Sequence, residues 1–186
     1  MKSFGAVVLS THNSYVVKIY DPKFYKDRDS GEAAKEAAEE FKNEKEAYIA
    51  IKAVLALEHC IAKGVEHGIL LPNEIPCIMM KEVEGLPLSD CDLDKKTNEN
   101  KMVIRKKVIE ADSNILFQGR VNNHAVRLQN VIPTSGGDIR IIDFGQSRVI
   151  DAKIAKAYRN PLFRWVRWAG QWADYGWFES RKKALA

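Results

Sequence analysis

The chain is poor in the residues that would place it outside ordinary globular chemistry. Only three cysteines occur in 186 residues, Cys60, Cys77 and Cys91. Their number is odd and their spacing suits no metal site, which argues against a disulfide framework or a zinc module and for a reducing compartment. No apolar run approaches the length of a membrane span, and residues 1–20 lack the apolar core of a secretory signal, so a cytoplasmic or nuclear location is expected. Internal repeats and low-complexity tracts are missing. An excess of one sign of charge is also small: 29 basic residues against 25 acidic ones leave a formal net charge of +4. That mild excess gives no reason to expect nucleic acid as a partner.

What is present is an ordinary core-forming composition, 46% hydrophobic and 29% charged, long enough for one domain. Residues 4–22, FGAVVLSTHNSYVVKIYDP, read as two strands around a turn at 11–14, because Val7, Val8, Val16, Val17, Ile19 and Tyr20 are β-branched or aromatic. Asp29 with Glu32 starts a helix running to about His59, with an apolar stripe of Phe41, Tyr48, Ile51 and Leu55. Residues 69–88 read as a loop, a buried strand near 77–80 and a Gly-Leu-Pro break. A polar linker at 89–100 precedes a second helix at about 99–116. Residues 138–142 form a further strand, and the tail reads as a helix, a break at Pro161 and a tryptophan-rich helix.

Several residues in this pattern ask for partners. Lys18 lies within an apolar strand; it either snorkels to water from a sheet edge or is paired. Glu44 falls inside the apolar stripe of the first helix, as an edge-of-stripe carboxylate or as the partner of Lys18. Asn130 and Asp143 flank a strand–turn–strand whose ends must approach each other. They read as a turn residue and a helix cap, or as an amide and a carboxylate converging on a hard cation that carries phosphate.

The order of these features resembles the protein kinase superfamily. VVKIYDP, EGLPLSD, VRLQN and IIDFGQSR look more narrowly like the small single-domain kinase-like proteins of fungi, over roughly residues 5–150. The resemblance implies an α+β, bilobal fold: an antiparallel-sheet N-lobe and hinge at 1–88, lacking the family's first strand, and a reduced helical C-lobe at 89–186. It implies that Lys18 contacts nucleotide phosphates and pairs with Glu44, that Asn130 and Asp143 hold Mg²⁺, and that Met80 backs an adenine pocket. Lys81, Glu82 and Val83 would supply hinge backbone, and Arg127 would stand near the γ-phosphate.

Departures from that pattern bear on activity. The family's catalytic loop places an aspartate five residues before the asparagine; here that position is Ala125, in Asn123-His124-Ala125. Such a base typically contributes about 10²–10⁴-fold in rate. No glycine-rich phosphate loop and no Ala-Pro-Glu segment occur. The expectation is therefore a pseudokinase with weak ATP and Mg²⁺ binding and a scaffolding or regulatory role. A residual phosphotransferase and a non-functional truncated copy are the alternatives. Trp165, Trp168 and Trp172, flanked by Arg164 and Arg167, share a helical face. They read as a terminal helix covering the reduced lower lobe or as a surface for a protein partner; membrane contact is not expected.

Overall fold

In the computed structural model, residues 7–10, 14–25, 28–92, 95–124, 126–157 and 172 are described. The chain is α+β. Its larger sheet has four strands in the order β1-β2-β4-β3: β1 (Val7–Ser10), β2 (Tyr15–Ile19), β3 (Glu66–Leu70) and β4 (Ile75–Lys81). All its pairings are antiparallel. Lys18 sits opposite Val8 on one side and Ile78 on the other. It is therefore on an interior strand, which removes the reading of an edge lysine.

Helix α1 (Ser30–Lys52) lies against this sheet. Asp29 caps it by accepting from the backbone N–H groups of Gly31 and Glu32, which satisfies donors that the first turn leaves open. Its buried face is Ala33, Ala37, Glu40, Glu44, Ala47, Tyr48 and Ile51, the spacing of one helical stripe. Two of those positions are carboxylates, and the alanines let the helix approach the sheet closely. The helix stops at Lys52, short of the expected end near His59. The Ala53 N–H turns back to Ile49 and Ile51 carbonyls and Val54 is extended. A 3-10 helix, Leu55–Cys60, follows. Leu55 is 81% exposed, outside the stripe assigned to it, and Leu57 and Cys60 turn inward in its place.

Strand β3 occupies residues partly read as loop. Every residue in it is exposed, so it has no apolar alternation to betray it; its register comes from backbone pairing with β4.

Residues 82–88 then leave the sheet. The Glu82 N–H bonds to the Ser14 carbonyl, and the Leu88 N–H to that of Val131. Gly85, at φ +130°, brings its Cα against the Pro133 carbonyl, where a Cβ would collide with backbone. This connector is thus stitched at both ends.

Helix α2 (Asn98–Phe117), capped by Thr97, buries Val108, Ala111, Ile115 and Leu116. Beside it lie two small antiparallel pairs, β5 (Val121–Asn122) with β8 (Arg148–Val149), and β6 (Val131–Pro133) with β7 (Ile139–Ile141). Helix α3 (Ala152–Ala157) follows. Arg140, on β7, is buried and donates to the Glu58 and Ile61 carbonyls, tying the hairpin to the 3-10 helix. One core cluster includes Tyr48, Ile51, Ile78, Ile115, Ile141 and Phe144 and so spans both halves. Of the tryptophan tail only Trp172 is among the described residues; it is fully buried in that core, and the rest of that reading lies outside them. Among the described residues no helix is long and apolar enough to cross a membrane.

Candidate functional site

Three elements deliver charged groups to one point. Lys18 extends from β2, Glu44 from the buried stripe of α1, and Asp143 from the turn after β7. The Lys18 ammonium lies 2.6 Å from Glu44 Oε2 and 2.7 Å from Asp143 Oδ1. Glu44 is fully buried, and its Oε2 also accepts the Tyr20 hydroxyl at 2.6 Å.

Asn130 and Asp143 meet because the β6–β7 hairpin closes between them: the Ile142 N–H donates to the Asn130 carbonyl at 2.9 Å. The Asn130 amide then lies 3.4 Å from Asp143 Oδ2. Asp143 has φ +63°, a left-handed conformation that a non-glycine residue adopts at a cost. That turn aims its carboxylate at Lys18. The Gly145 N–H donates to Oδ1, while the Asn43 side chain holds the Gly145 carbonyl from α1. Phe144 is buried edge-on to Tyr48, with ring centroids 5.1 Å apart, anchoring the turn from below.

The charges behave as a coupled group. Burial alone would push the Lys18 ammonium down, but Glu44 and Asp143 outweigh it and hold it well above the ordinary lysine value. Burial likewise works to raise Asp143, yet the Lys18 charge and hydrogen bond, the Gly145 N–H and the Arg127 charge leave its carboxyl below the ordinary value. For Glu44 burial wins, against the pull of Lys18, and its carboxyl is raised. Burial and the charge of Glu44 push the Tyr20 hydroxyl far up, so it stays a neutral donor.

The remaining sequence-derived residues fall around this centre. Met80 is buried on β4, its sulfur 3.8 Å from the Tyr48 hydroxyl. The Lys81 and Glu82 N–H groups are spent on the Lys63 and Ser14 carbonyls, whereas half-buried Val83 makes no backbone hydrogen bond among the described residues. Arg127 stands, extended, at the residue before the short 3-10 helix Leu128–Asn130. His124 is half-buried beside the Asn122 amide, 3.2 Å away. Ala125 lies outside the described residues. Burial pushes the Cys60 thiol up to about 11, away from the thiolate form.

Tyr20 and Asn43 belong to the site and were not singled out from the sequence. Tyr20 had a signal: two residues beyond Lys18, strand alternation puts it on the same face. Asn43 had none, because its partner is a backbone carbonyl about a hundred residues away.

No family model matches the sequence, and no curated protein matches it. Solved structures do. A crystal structure of WbdD aligns over 86% of this chain with a TM-score of 0.57 at 19% identity. The bifunctional kinase-methyltransferase WbdD aligns over 78% with a TM-score of 0.53 at 20% identity. A co-crystal of WbdD with the kinase inhibitor LY294002 aligns over 84% with a TM-score of 0.57 at 19% identity. This chain spans 31–35% of the length of those chains. The likeness is one of fold: the α+β arrangement matches part of a bifunctional kinase-methyltransferase.

Proposed function

We propose that this chain is a kinase-like module that binds ATP with Mg²⁺ weakly, has lost efficient phosphoryl transfer, and acts through a protein partner. The observation that carries the reading is the ammonium of Lys18 held between Glu44 and Asp143, with Asn130 against Asp143. A fixed ammonium with an N–H to spare is suited to a phosphate oxygen. Val83, whose backbone groups bond to no other backbone group among the described residues, suits the edge of a nucleobase.

Mg²⁺ fits the donor set. The Asn130 amide oxygen and the Asp143 carboxylate are hard ligands within one ion's reach, and Asp143 is about a third exposed. The described residues hold no group of three or more His, Cys, Asp or Glu that would cage a metal, so phosphates and water must complete its shell. When bound, the ion would neutralise phosphate charge. Asn130 would have to turn its amide, because its NH₂ end faces Asp143 in this structure.

A glycine-rich run whose backbone amides would cradle phosphates does not occur within residues 1–186. Impaired transfer follows from Ala125 at the position of the general base. A residual phosphotransferase is the second reading. It is favoured by the retained Lys18, Asn130 and Asp143, since much of phosphoryl transfer is positioning and charge stabilisation.

Thermal denaturation with millimolar ATP and Mg²⁺ tests the first reading. An upward shift is expected that needs both components and is lost in Asp143→Asn; no shift in the unaltered chain ends the nucleotide reading. Labelled phosphate transfer that appears only after Ala125→Asp excludes the second.

A further inference from the structure

Lys18, on β2, and Tyr20, one residue past its end, share one oxygen. The Lys18 ammonium and the Tyr20 hydroxyl each lie 2.6 Å from Glu44 Oε2. The other carboxylate oxygen, Oε1, is buried with no partner among the described residues. The anchoring of Glu44 therefore runs through Oε2 alone, and so through these two donors. They are not equivalent. Lys18 is shared with Asp143 at 2.7 Å, and in the reading above it must also serve a phosphate. The Tyr20 hydroxyl has no second acceptor among the described residues, and the Tyr20 ring also faces the Lys18 ammonium, which lies 5.3 Å from its centroid. Tyr20 is 1% exposed, its ring stands edge-on to Phe41 at 5.4 Å, and its backbone N–H is tied to the Pro76 carbonyl at 3.0 Å.

We propose that Tyr20 is a positioning residue for the phosphate-facing ammonium: its hydroxyl holds the Glu44 carboxylate in place, and that carboxylate holds Lys18. A glutamate side chain turns about three bonds, and a lysine about four. An ion pair between them fixes neither unless one end is tethered elsewhere. A rigid phenol that donates to the shared oxygen supplies the tether. It also supplies a donor that a ligand cannot draw away when Lys18 is shared with a third acceptor. This proposal rests on the nucleotide reading for its functional consequence, but not for its geometry.

The fold contains its own control. One turn earlier on α1, buried Glu40 accepts the Tyr25 hydroxyl at 2.8 Å. That pair fastens the same helix with the same chemistry, and no hydrogen bond or ion pair joins it to Lys18 among the described residues.

The test compares the full chain with Tyr20→Phe and Tyr25→Phe. Three quantities are read: thermal stability, the ¹⁵N signal of the Lys18 ammonium without nucleotide (identified by its loss in Lys18→Arg), and the affinity for ATP with Mg²⁺. Both phenylalanine variants should melt a few degrees lower, each losing one buried hydrogen bond to a carboxylate. Only Tyr20→Phe should shift or broaden the Lys18 signal, and only it should weaken ATP binding, by about tenfold. An unchanged Lys18 signal in Tyr20→Phe overturns the proposal, as does an equal change in Tyr25→Phe. If the unaltered chain binds no ATP while the Lys18 signal still depends on Tyr20, the nucleotide reading falls and the positioning of Lys18 by Tyr20 stands.

Discussion

The two halves of this molecule use burial differently. Helix α1 meets its sheet through alanines and through Glu44, which takes both the Tyr20 hydroxyl and the Lys18 ammonium. Helix α2 meets the small hairpins through Val108, Ala111 and Ile115, in one apolar cluster with Val121 and Ile141. Apolar packing is non-directional and tolerates small shifts. Buried charge is directional, and removing one partner leaves the other without its compensation. The contacts of Glu44 on α1 with Lys18 and Tyr20 thus specify an angle and a distance, and they are easily broken by a single change of charge.

The largest effect expected on that comparison comes from Lys18→Met. It strands the Glu44 carboxylate in the core and should cost about 3–4 kcal/mol in urea unfolding, toward the lower end for a buried pair because Lys18 retains 12% exposure. Adding Glu44→Gln should recover part of the loss. A cost below about 1 kcal/mol, with no recovery, would mean that the charges are solvated rather than buried.

The same variant sharpens the comparison with pH. Asp143 is held below its ordinary value of 3.8, so its contribution is present above that value and is lost as pH falls through the lower, folded value. Glu44 is raised from 4.5, and without Lys18 it should rise further and take up a proton sooner on acidification. The Glu44 effect acts as pH falls toward about 4, and the Asp143 effect adds to it in the same direction only below 3.8. The difference in melting temperature between the native chain and Lys18→Met should narrow as pH falls from neutrality toward about 4; a widening gap would contradict the assignment.

In the apolar half, Ile115→Ala empties a fully buried site and should cost about 3 kcal/mol by denaturant titration. No second change of charge should rescue it. Between the halves, Gly85→Ala places a methyl against the Pro133 carbonyl at a φ that L residues avoid, for a loss of about 2 kcal/mol. If it is neutral, the connector is not stitched to β6 in solution. The smallest effect is expected from Asp29→Ala, which removes the cap of α1 and should lower stability by about 1 kcal/mol, checked in the same urea titration.

Much of the frame was legible before any coordinates. Strand β2 declared itself through its β-branched run, helix α1 through Asp29, and the β6–β7 hairpin through its glycine turn. Lys18 and Glu44 were conspicuous because an ionisable group inside an apolar pattern demands a partner. Strand β3 was missed since its side chains are all exposed and only the β4 backbone specifies it. The early end of α1 was missed because helical spacing continues into the 3-10 segment, where a change of backbone pairing redirects Leu55 to solvent.

By itself, then, the sequence determined which residues needed partners and in what order they came along the chain, because hydrophobic periodicity and misplaced charge are local properties. The tertiary structure alone decided that Lys18 answers two carboxylates rather than one, and that Tyr20 shares an oxygen with it. It also decided that Asp143 reaches the pair through a left-handed turn. Those are statements of distance and angle between segments far apart in the chain, and only the packing of α1, β2 and the β6–β7 hairpin around a common core could set them.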